Sequence, residues 1–430
     1  MNRITSGRIA AAETASPSTA RERAALAGAS AGSAVPPIDL EALRAYRYRR
    51  VQQILKEADC AAALLWNPVN IRYAVDCRNN MTVWLLHNMG RYCIVPAEGR
   101  AVLFEYANKN CLSSQPPLAA VAEVRPSIIH SFFDAAEHAE STSRRWAAEI
   151  RDLVDRLAGT GARRLAIDRA DLLGAEALRA QGFDLVEGQR LMELARSVKS
   201  AQEIACMRRS LAVADIGMRR MHEALRPGIT ERELWAELHY ANIANGGEWI
   251  ETQLLSSGPR TNPWFQEASD RPIQASELVS FDTDMIGPYG YCSDVSRTFL
   301  CGDGPASSEQ KNLYSLAVEQ VEYNTALLKP GLGFREFTAD AWKIPARFAE
   351  QDYGCIAHGV GMVDEWPAIY SDPRDPLLQE GVFVAGMTVC VESYIGEVGG
   401  REGVKLEQQV LITSTGRETL SRFPLEPKLL

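Results

Sequence analysis

Two hydrophobic periods alternate along the chain, and the switches between them predict its elements. From Ile38 the spacing is helical: Asp39 stands as N-cap before Leu40-Glu41-Ala42-Leu43, and the pattern runs on through Arg50 and Leu55. Short apolar runs at 61–66, 81–86, 91–95, 101–104 and 164–168 read as strands, and helical patterns cover 144–157 and 175–181. Strands mixed with helices predict a small α/β domain over 37–197.

A second unit opens at Ser200. Ser200-Ala201-Gln202-Glu203 has the form of a capping box, in which the serine oxygen and the glutamate carboxylate satisfy N–H groups left free by the first turn. Apolar residues recur at helical spacing (Ile204, Met207, Leu211, Ala214, Met218, Met221), and Pro227-Gly228 ends the helix. Another helix follows from Thr230 through Leu234 to Ala241. The design recurs in a helix from about Asn312 to Leu328, a break at Pro330-Gly331, and a helix over 335–348. The two breaks lie 103 residues apart. They predict an internal repeat within 198–430, two similar halves with a cleft between them.

Composition narrows the function classes. Residues 1–36 are rich in Ala, Ser, Thr, Gly and Arg, and 24–37 contains no aromatic side chain. Such a segment buries too little surface to offset its ordering entropy and reads as a disordered tail. A transit peptide is the alternative, weakened by Glu13 and Glu22, and there is no apolar secretory core. The 430 residues then hold a tail and two domains. A net charge of −9 argues against nucleic acid or an anionic membrane as partner, since both need a basic surface. No apolar run reaches the roughly 18–20 residues of a membrane span. The nine cysteines include no C-x-x-C pair, which implies neither a disulfide framework nor a thiolate zinc site; they read as reduced thiols of a cytoplasmic protein. Only six histidines are present (His87, His130, His138, His222, His239, His358), so a metal site here has to be mostly carboxylate.

Such a site is suggested by Phe281-Asp282-Thr283-Asp284. On a strand, Asp282 and Asp284 point the same way, and two carboxylates side by side repel unless a cation or proton lies between them. A turn through Gly287-Pro288-Tyr289-Gly290 and a return along Tyr291-Cys292-Ser293-Asp294-Val295 make a hairpin that brings Asp294 back. Turn-flanking, solvated aspartates would be the bland reading. Four further features speak against it. His358 is followed by Gly359 and Gly361, which permit close backbone approach. Glu392 in Thr388-Val389-Cys390-Val391-Glu392 and Glu407 in Val404-Lys405-Leu406-Glu407 are acids in apolar β-runs, costly unless paired. The order Asp, Asp, Asp, His, Glu, Glu completes an O/N donor set suited to a pair of divalent ions such as Mn, Fe, Co or Zn.

With these residues the chain resembles the pita-bread superfamily of creatinase, prolidase, aminopeptidase P and methionine aminopeptidase. The resemblance covers about 38–430. It implies an α+β protein: a creatinase-like N-terminal α/β domain followed by a duplicated pita-bread metal-binding domain. It gives ligand roles to Asp284, Asp294, His358, Glu392 and Glu407, with Asp282 as an added carboxylate that is either a ligand or a partner behind one. Peptidases of the superfamily carry a histidine before the first Asp ligand and a second one, followed by an acid, shortly after the ligand histidine. Here the first stretch is Gly258-Pro259-Arg260-Thr261-Asn262-Pro263-Trp264-Phe265 and the second is Met362-Val363-Asp364-Glu365-Trp366-Pro367, with Asp364 in the place of the imidazole.

One branch shares these departures. Gly246-Gly247-Glu248-Trp249-Ile250-Glu251-Thr252, the 257–267 block and Tyr353-Gly354-Cys355…His358…Asp364-Glu365-Trp366-Pro367 are similar to dimethylsulfoniopropionate lyases of the DddP type. That likeness implies a homodimer with a dinuclear site, iron first and Mn, Zn or Co as alternatives. The implied reaction cleaves a small sulfonium zwitterion to dimethyl sulfide and acrylate. Asp364 is then the candidate base and Glu365 the fallback. Aromatic faces attract a sulfonium by about 0.5–2 kcal/mol each; Tyr353 leads, with Trp84, Trp264 and Trp366 beside it and Tyr289 and Tyr291 nearby. Trp84 would reach the pocket only across a domain or subunit boundary. Arg260 and Arg297 are candidate carboxylate partners, Arg297 more as a brace for the Asp ligands. The rival readings are a pita-bread hydrolase (an Xaa-Pro peptidase or a creatinase-like enzyme) acting on a related zwitterion, and a non-catalytic binding module that would have shed the ligands.

Overall fold

The computed structural model describes residues 37–79, 81–86, 90–106 and 118–430. The expected tail at 1–36 and His87 lie outside them.

The first helix, Leu40–Glu57, starts where its cap predicts: the Asp39 carboxylate accepts from the amides of Glu41 and Ala42 at 3.0 Å. It buries Leu43, Val51 and Leu55 beside a six-stranded sheet. That sheet comprises β1 (Ala62–Leu65), β2 (Tyr92–Pro96), β3 (Ala101–Glu105), β4 (Val121–Pro126), β5 (Arg164–Ile167) and β6 (Asp184–Glu187), in the order β4-β3-β2-β1-β5-β6. The central strands β1, β2 and β3 are buried along their whole length and mainly apolar, because both faces are covered. One face packs against the helix Ala139–Ala158 through Trp146, Ile150 and Val154, and the other against Val51, Leu55 and Leu191. The run 81–86, expected as a strand, is the helix Met81–Leu86. A short apolar run has no periodicity of its own to separate the two states.

The capping boxes at Ser200–Glu203 and Thr230–Glu233 are both formed, at the starts of the helices Ala201–Ala224 and Glu231–Ala244. Short strands follow: β7 (Trp249–Ile250), β8 (Leu255–Ser257), β9 (Leu278–Phe281), β10 (Met285–Ile286), β11 (Cys292–Ser293) and β12 (Arg297–Leu300). They pair as β12-β9-β8 and β11-β10-β7. After the helix Ser308–Leu327 comes Phe334–Asp340, and then β13 (Cys355–Val360), β14 (Asp364–Tyr370), β15 (Thr388–Ile395), β16 (Val404–Ile412) and β17 (Arg417–Thr419), in the order β14-β13-β15-β16-β17.

The helix expected over 335–348 stops at Asp340. The Trp342 amide donates to the side chain of Asn324 at 2.8 Å, a partner from the preceding helix, and so leaves the helical ladder.

The two Pro-Gly breaks do mark equivalent places. The Gly228 amide donates to Ile273 and the Ile273 amide to Ile229, both at 2.8 Å. In the second half the Gly331 amide donates to Phe383 at 2.8 Å and the Phe383 amide to Leu332 at 2.9 Å. Each break pins its helix pair to the segment leading into the strand that follows, β9 in one half and β15 in the other. The two halves therefore carry the same hydrogen-bonded joint, as the sequence spacing predicts.

Candidate active site

Asp282 and Asp284 were expected to share a face as alternate residues of a strand. The strand β9 ends at Phe281, and Asp284 has a positive φ of 36°. What holds the two acids together is the residue between them. The Thr283 hydroxyl donates to the Ser293 carbonyl at 2.8 Å and accepts from the Val295 amide at 3.0 Å. This ties the bend to the returning arm, where β10 pairs with β11 as expected for the hairpin. Asp282, Asp284 and Asp294 thereby offer oxygens within 4.8 Å of one another.

The second half supplies the rest. Glu392 on β15 lies directly opposite Glu407 on β16. Like charges in that register repel, yet both are buried. Asp282, Glu392 and Glu407 form one close group, and Asp294, His358, Cys390 and Glu407 another. The His358 Nδ1–H donates to the Gly359 carbonyl at 3.1 Å. Its Nε2 then faces Glu392 at 3.4 Å, Asp294 at 3.5 Å and Glu407 at 3.8 Å. A backbone acceptor on one ring nitrogen fixes the tautomer that leaves the other free to ligate.

The electrostatics are those of acids forced together. Burial raises the carboxyls of Asp284, Asp294 and Glu407 well above the usual range, and neighbouring acids add to it. Burial alone would also raise Asp282, but the Lys405 ammonium, together with hydrogen bonding from Glu407 and Ser296, outweighs it and holds that carboxyl low. Burial opposes the charge on His358, while Asp364 and Glu392 outweigh it and raise the imidazole. A cation at Nε2 would replace that proton.

These residues fit divalent cations. Asp282 Oδ1, Asp294 Oδ1 and Glu407 Oε1 are buried and accept no hydrogen bond from any described donor. Buried anionic oxygens without donors are costly unless a cation lies beside them.

Asp364 opens β14, with 59% of its side chain exposed and Oδ1 3.7 Å from His358 Nδ1. Glu365 points the other way and is buried in ion pairs with Arg196 and Lys199. Trp264 and Tyr353 stand against the carboxylate group: the Lys405 ammonium lies 5.6 Å from the Trp264 ring centre and 5.3 Å from that of Tyr353. Two further aromatic candidates make their ring contacts elsewhere. Trp366 packs against Phe334, and Trp84 against Tyr106 and Arg91. Tyr291 is buried and donates to Glu203 at 3.0 Å. Arg260 pairs with Glu231. Arg297 donates to the Glu407 carbonyl at 2.8 Å and so steadies β16 from behind.

Sequence reasoning did not single out Lys405, which donates to Glu392 Oε2 at 2.5 Å, to Ser296 Oγ at 2.6 Å and to Asp282 Oδ2 at 3.1 Å. Nor did it single out Thr252, whose hydroxyl donates to Asp284 at 2.5 Å, Ser296, which donates to Glu407 at 3.0 Å, or Cys390. Lys405 left a signal: two residues before Glu407 on one strand it shares that residue's face, and a lysine in an apolar β-run is as costly as the glutamate. The histidines divide cleanly. His130 lies against Asp171, His222 against Glu426, His138 beside Glu137 and His239 beside Trp235, so among the described residues His358 alone joins the acids.

Residues 205–414 match the model of metallopeptidase family M24. The dimethylsulfoniopropionate lyase DddP of Roseovarius nubinhibens is 40% identical over 408 residues, covering 94% of this chain and 90% of that protein. The lyase of the same name from Roseobacter denitrificans is 41% identical over 398 residues, covering 91% and 88%. Among solved structures, an Xaa-Pro dipeptidase from Bacillus anthracis matches the fold with a TM-score of 0.69 at 22% identity, covering 88% of this chain and 98% of that one. The α+β, pita-bread architecture expected from the motifs is thus the architecture observed. On the two lyase relatives, each aligned over nearly the whole chain, this protein belongs to the family of the DddP dimethylsulfoniopropionate lyases.

Proposed function

We propose that this protein cleaves dimethylsulfoniopropionate to dimethyl sulfide and acrylate by base-catalysed β-elimination. Asp282, Asp284, Asp294, His358, Glu392 and Glu407 hold two divalent ions, iron foremost. The observation that carries the reading is the pairing of this carboxylate-rich cluster with an exposed Asp364 carboxylate 3.7 Å from its one histidine.

Cations bound there would supply positive charge to the substrate carboxylate as its α-proton becomes acidic. The residues of the chain do the rest. Asp364 takes the proton from the carbon next to the carboxylate. The electron pair of that C–H bond forms the carbon–carbon double bond, the C–S bond breaks, and its pair leaves with sulfur as neutral dimethyl sulfide. Asp364 then returns its proton to solvent. The leaving group needs no general acid, which suits a cluster with a single histidine. Tyr353 and Trp264 present aromatic faces beside the acids, where a sulfonium gains cation–π attraction.

The protein acts as a cytoplasmic homodimer whose chain divides near 197/198, and Trp84 serves a pocket only if a boundary between domains or subunits brings it there. A hydrolase reading is weaker, because the two relatives aligned over nearly the whole chain carry the name of a lyase.

Purified, metal-loaded protein given dimethylsulfoniopropionate should release dimethyl sulfide into the headspace and equimolar acrylate into solution. No release at full metal occupancy would overturn the reading. Elemental analysis should return two metal equivalents per chain with iron predominant, and light scattering should give twice 47.4 kDa.

A further inference from the structure

Asp364 and Glu365 are adjacent acids with opposite fates. Strand alternation sends Asp364 toward His358 and Glu365 into the protein. The Glu365 side chain is 1% exposed, as against 59% for Asp364. One Glu365 oxygen accepts from Arg196 Nε at 3.0 Å and from the Met362 amide at 3.0 Å; the other accepts from Lys199 Nζ at 2.8 Å. These donors leave it no role as the base.

The clamp is continuous with the rest of the molecule. Arg196 also donates to Glu193 at 2.5 Å and to the Asn70 side-chain oxygen. Glu193 accepts from the Trp366 amide at 3.0 Å, and Asn70 donates to Asp168 at 2.8 Å. Residues on both sides of Asp364, Met362 and Trp366, are thus fastened to the segment 193–199.

The pairing of β13 with β14 explains what is being fastened. Val360 pairs with Asp364 and Gly359 with Glu365, but His358 pairs with Ala368. Two residues, Trp366 and Pro367, bulge out of register immediately after the two acids. Bulges re-aim side chains and recur beside active sites. The close packing that results requires glycine: a Cβ at Gly359 would collide with the Glu365 and Trp366 carbonyls, and one at Gly361 with the Glu365 carboxylate. The His-Gly-Val-Gly spacing is therefore a fit to Glu365 as much as to His358.

We propose that Glu365 is a positioning residue: held by Arg196 and Lys199, it fixes the turn 361–364 and the bulge behind it so that the Asp364 carboxylate faces His358 and the substrate. This rests on Asp364 being the base. The test compares the metal-loaded wild type with Glu365→Gln, Lys199→Met and Asp364→Ala, reading dimethyl sulfide release, kcat and KM separately, and metal content. Glu365→Gln and Lys199→Met should each lower kcat at least fivefold while KM stays within threefold and metal content is that of the wild type. Their losses should remain smaller than that of Asp364→Ala. A smaller fall in kcat, a fall that tracks lost metal, or a Glu365→Gln loss as deep as Asp364→Ala overturns the proposal. If Glu365→Gln does not fold, Lys199→Met alone decides by the same criteria. A wild type that releases no dimethyl sulfide would instead remove the underlying reading of the activity.

Discussion

Lys405 donates to Glu392 at 2.5 Å from within a ring of acids, with Asp282 at 3.1 Å and Glu407 at 3.8 Å. Burial disfavours the charge on this ammonium, but Asp282, Glu392 and Glu407 hold it well above the ordinary lysine range. One fixed cation thus offsets part of a negative cluster. Removing it with Lys405→Met leaves buried acids uncompensated, which costs about 3–5 kcal/mol for a broken buried pair. The metal-free variant should melt well below the metal-free wild type. Divalent ions should then stabilise the variant more than the wild type, because they supply the missing charge. Calorimetry with and without metal measures both shifts, and equal melting temperatures of the two metal-free proteins would refute the argument.

Asp364→Ala should lower dimethyl sulfide release by about 10²–10⁴-fold, the usual contribution of a general base. Its carboxylate is largely exposed and is absent from the three close donor groups, so metal content should be unchanged. Parallel assays of release and metal stoichiometry decide the matter. Loss of metal in this variant would make Asp364 a ligand.

Glu392→Ala should have the opposite signature. Its oxygen belongs to the group shared with Asp282 and Glu407, and its neighbour across the sheet is Glu407. Removing one donor of a shared site should lower metal content below that of the wild type, with activity falling in step, while circular dichroism shows the fold retained. Wild-type stoichiometry in the variant would remove Glu392 from the ligand set.

Much of this site is legible in the sequence because its residues violate local rules. Glu392 and Glu407 are acids in apolar strands, and Asp282 and Asp284 are like charges two residues apart; each is costly alone, so each announces a partner. What is not legible depends on distant contacts. The Phe334–Asp340 helix stops because Trp342 finds Asn324, and Asp282 stays beside Asp284 because Thr283 finds Ser293 and Val295. Neither partner can be read from local pattern. Met81–Leu86 has too short an apolar run to show its period. Lys405 broke the same rule as the glutamates, in full view between Val404 and Leu406, and shows that a buried charge of either sign marks the site.

Asp215 offers a test of electrostatics away from the acids of the site. It lies on the Ala201–Ala224 helix, and its Oδ1 is buried and accepts no hydrogen bond from any described donor. Burial raises its carboxyl from 3.8 to about 6, although Arg297, Arg219 and Arg422 pull it down. A folded-state value above the unfolded one means that the folded chain holds its proton longer. The favourable contribution is complete below about pH 4 and is lost as pH rises to about 6, so at neutral pH the ionised group destabilises the fold. The shift corresponds to about 3 kcal/mol. Asp215→Asn keeps the shape and removes the charge, so it should raise the melting temperature at pH 8 by several degrees and change it much less at pH 4.5. Thermal melts of both proteins at the two pH values measure the difference. An equal effect at both, or destabilisation at pH 8, would show that the ionised carboxylate is compensated by the surrounding arginines.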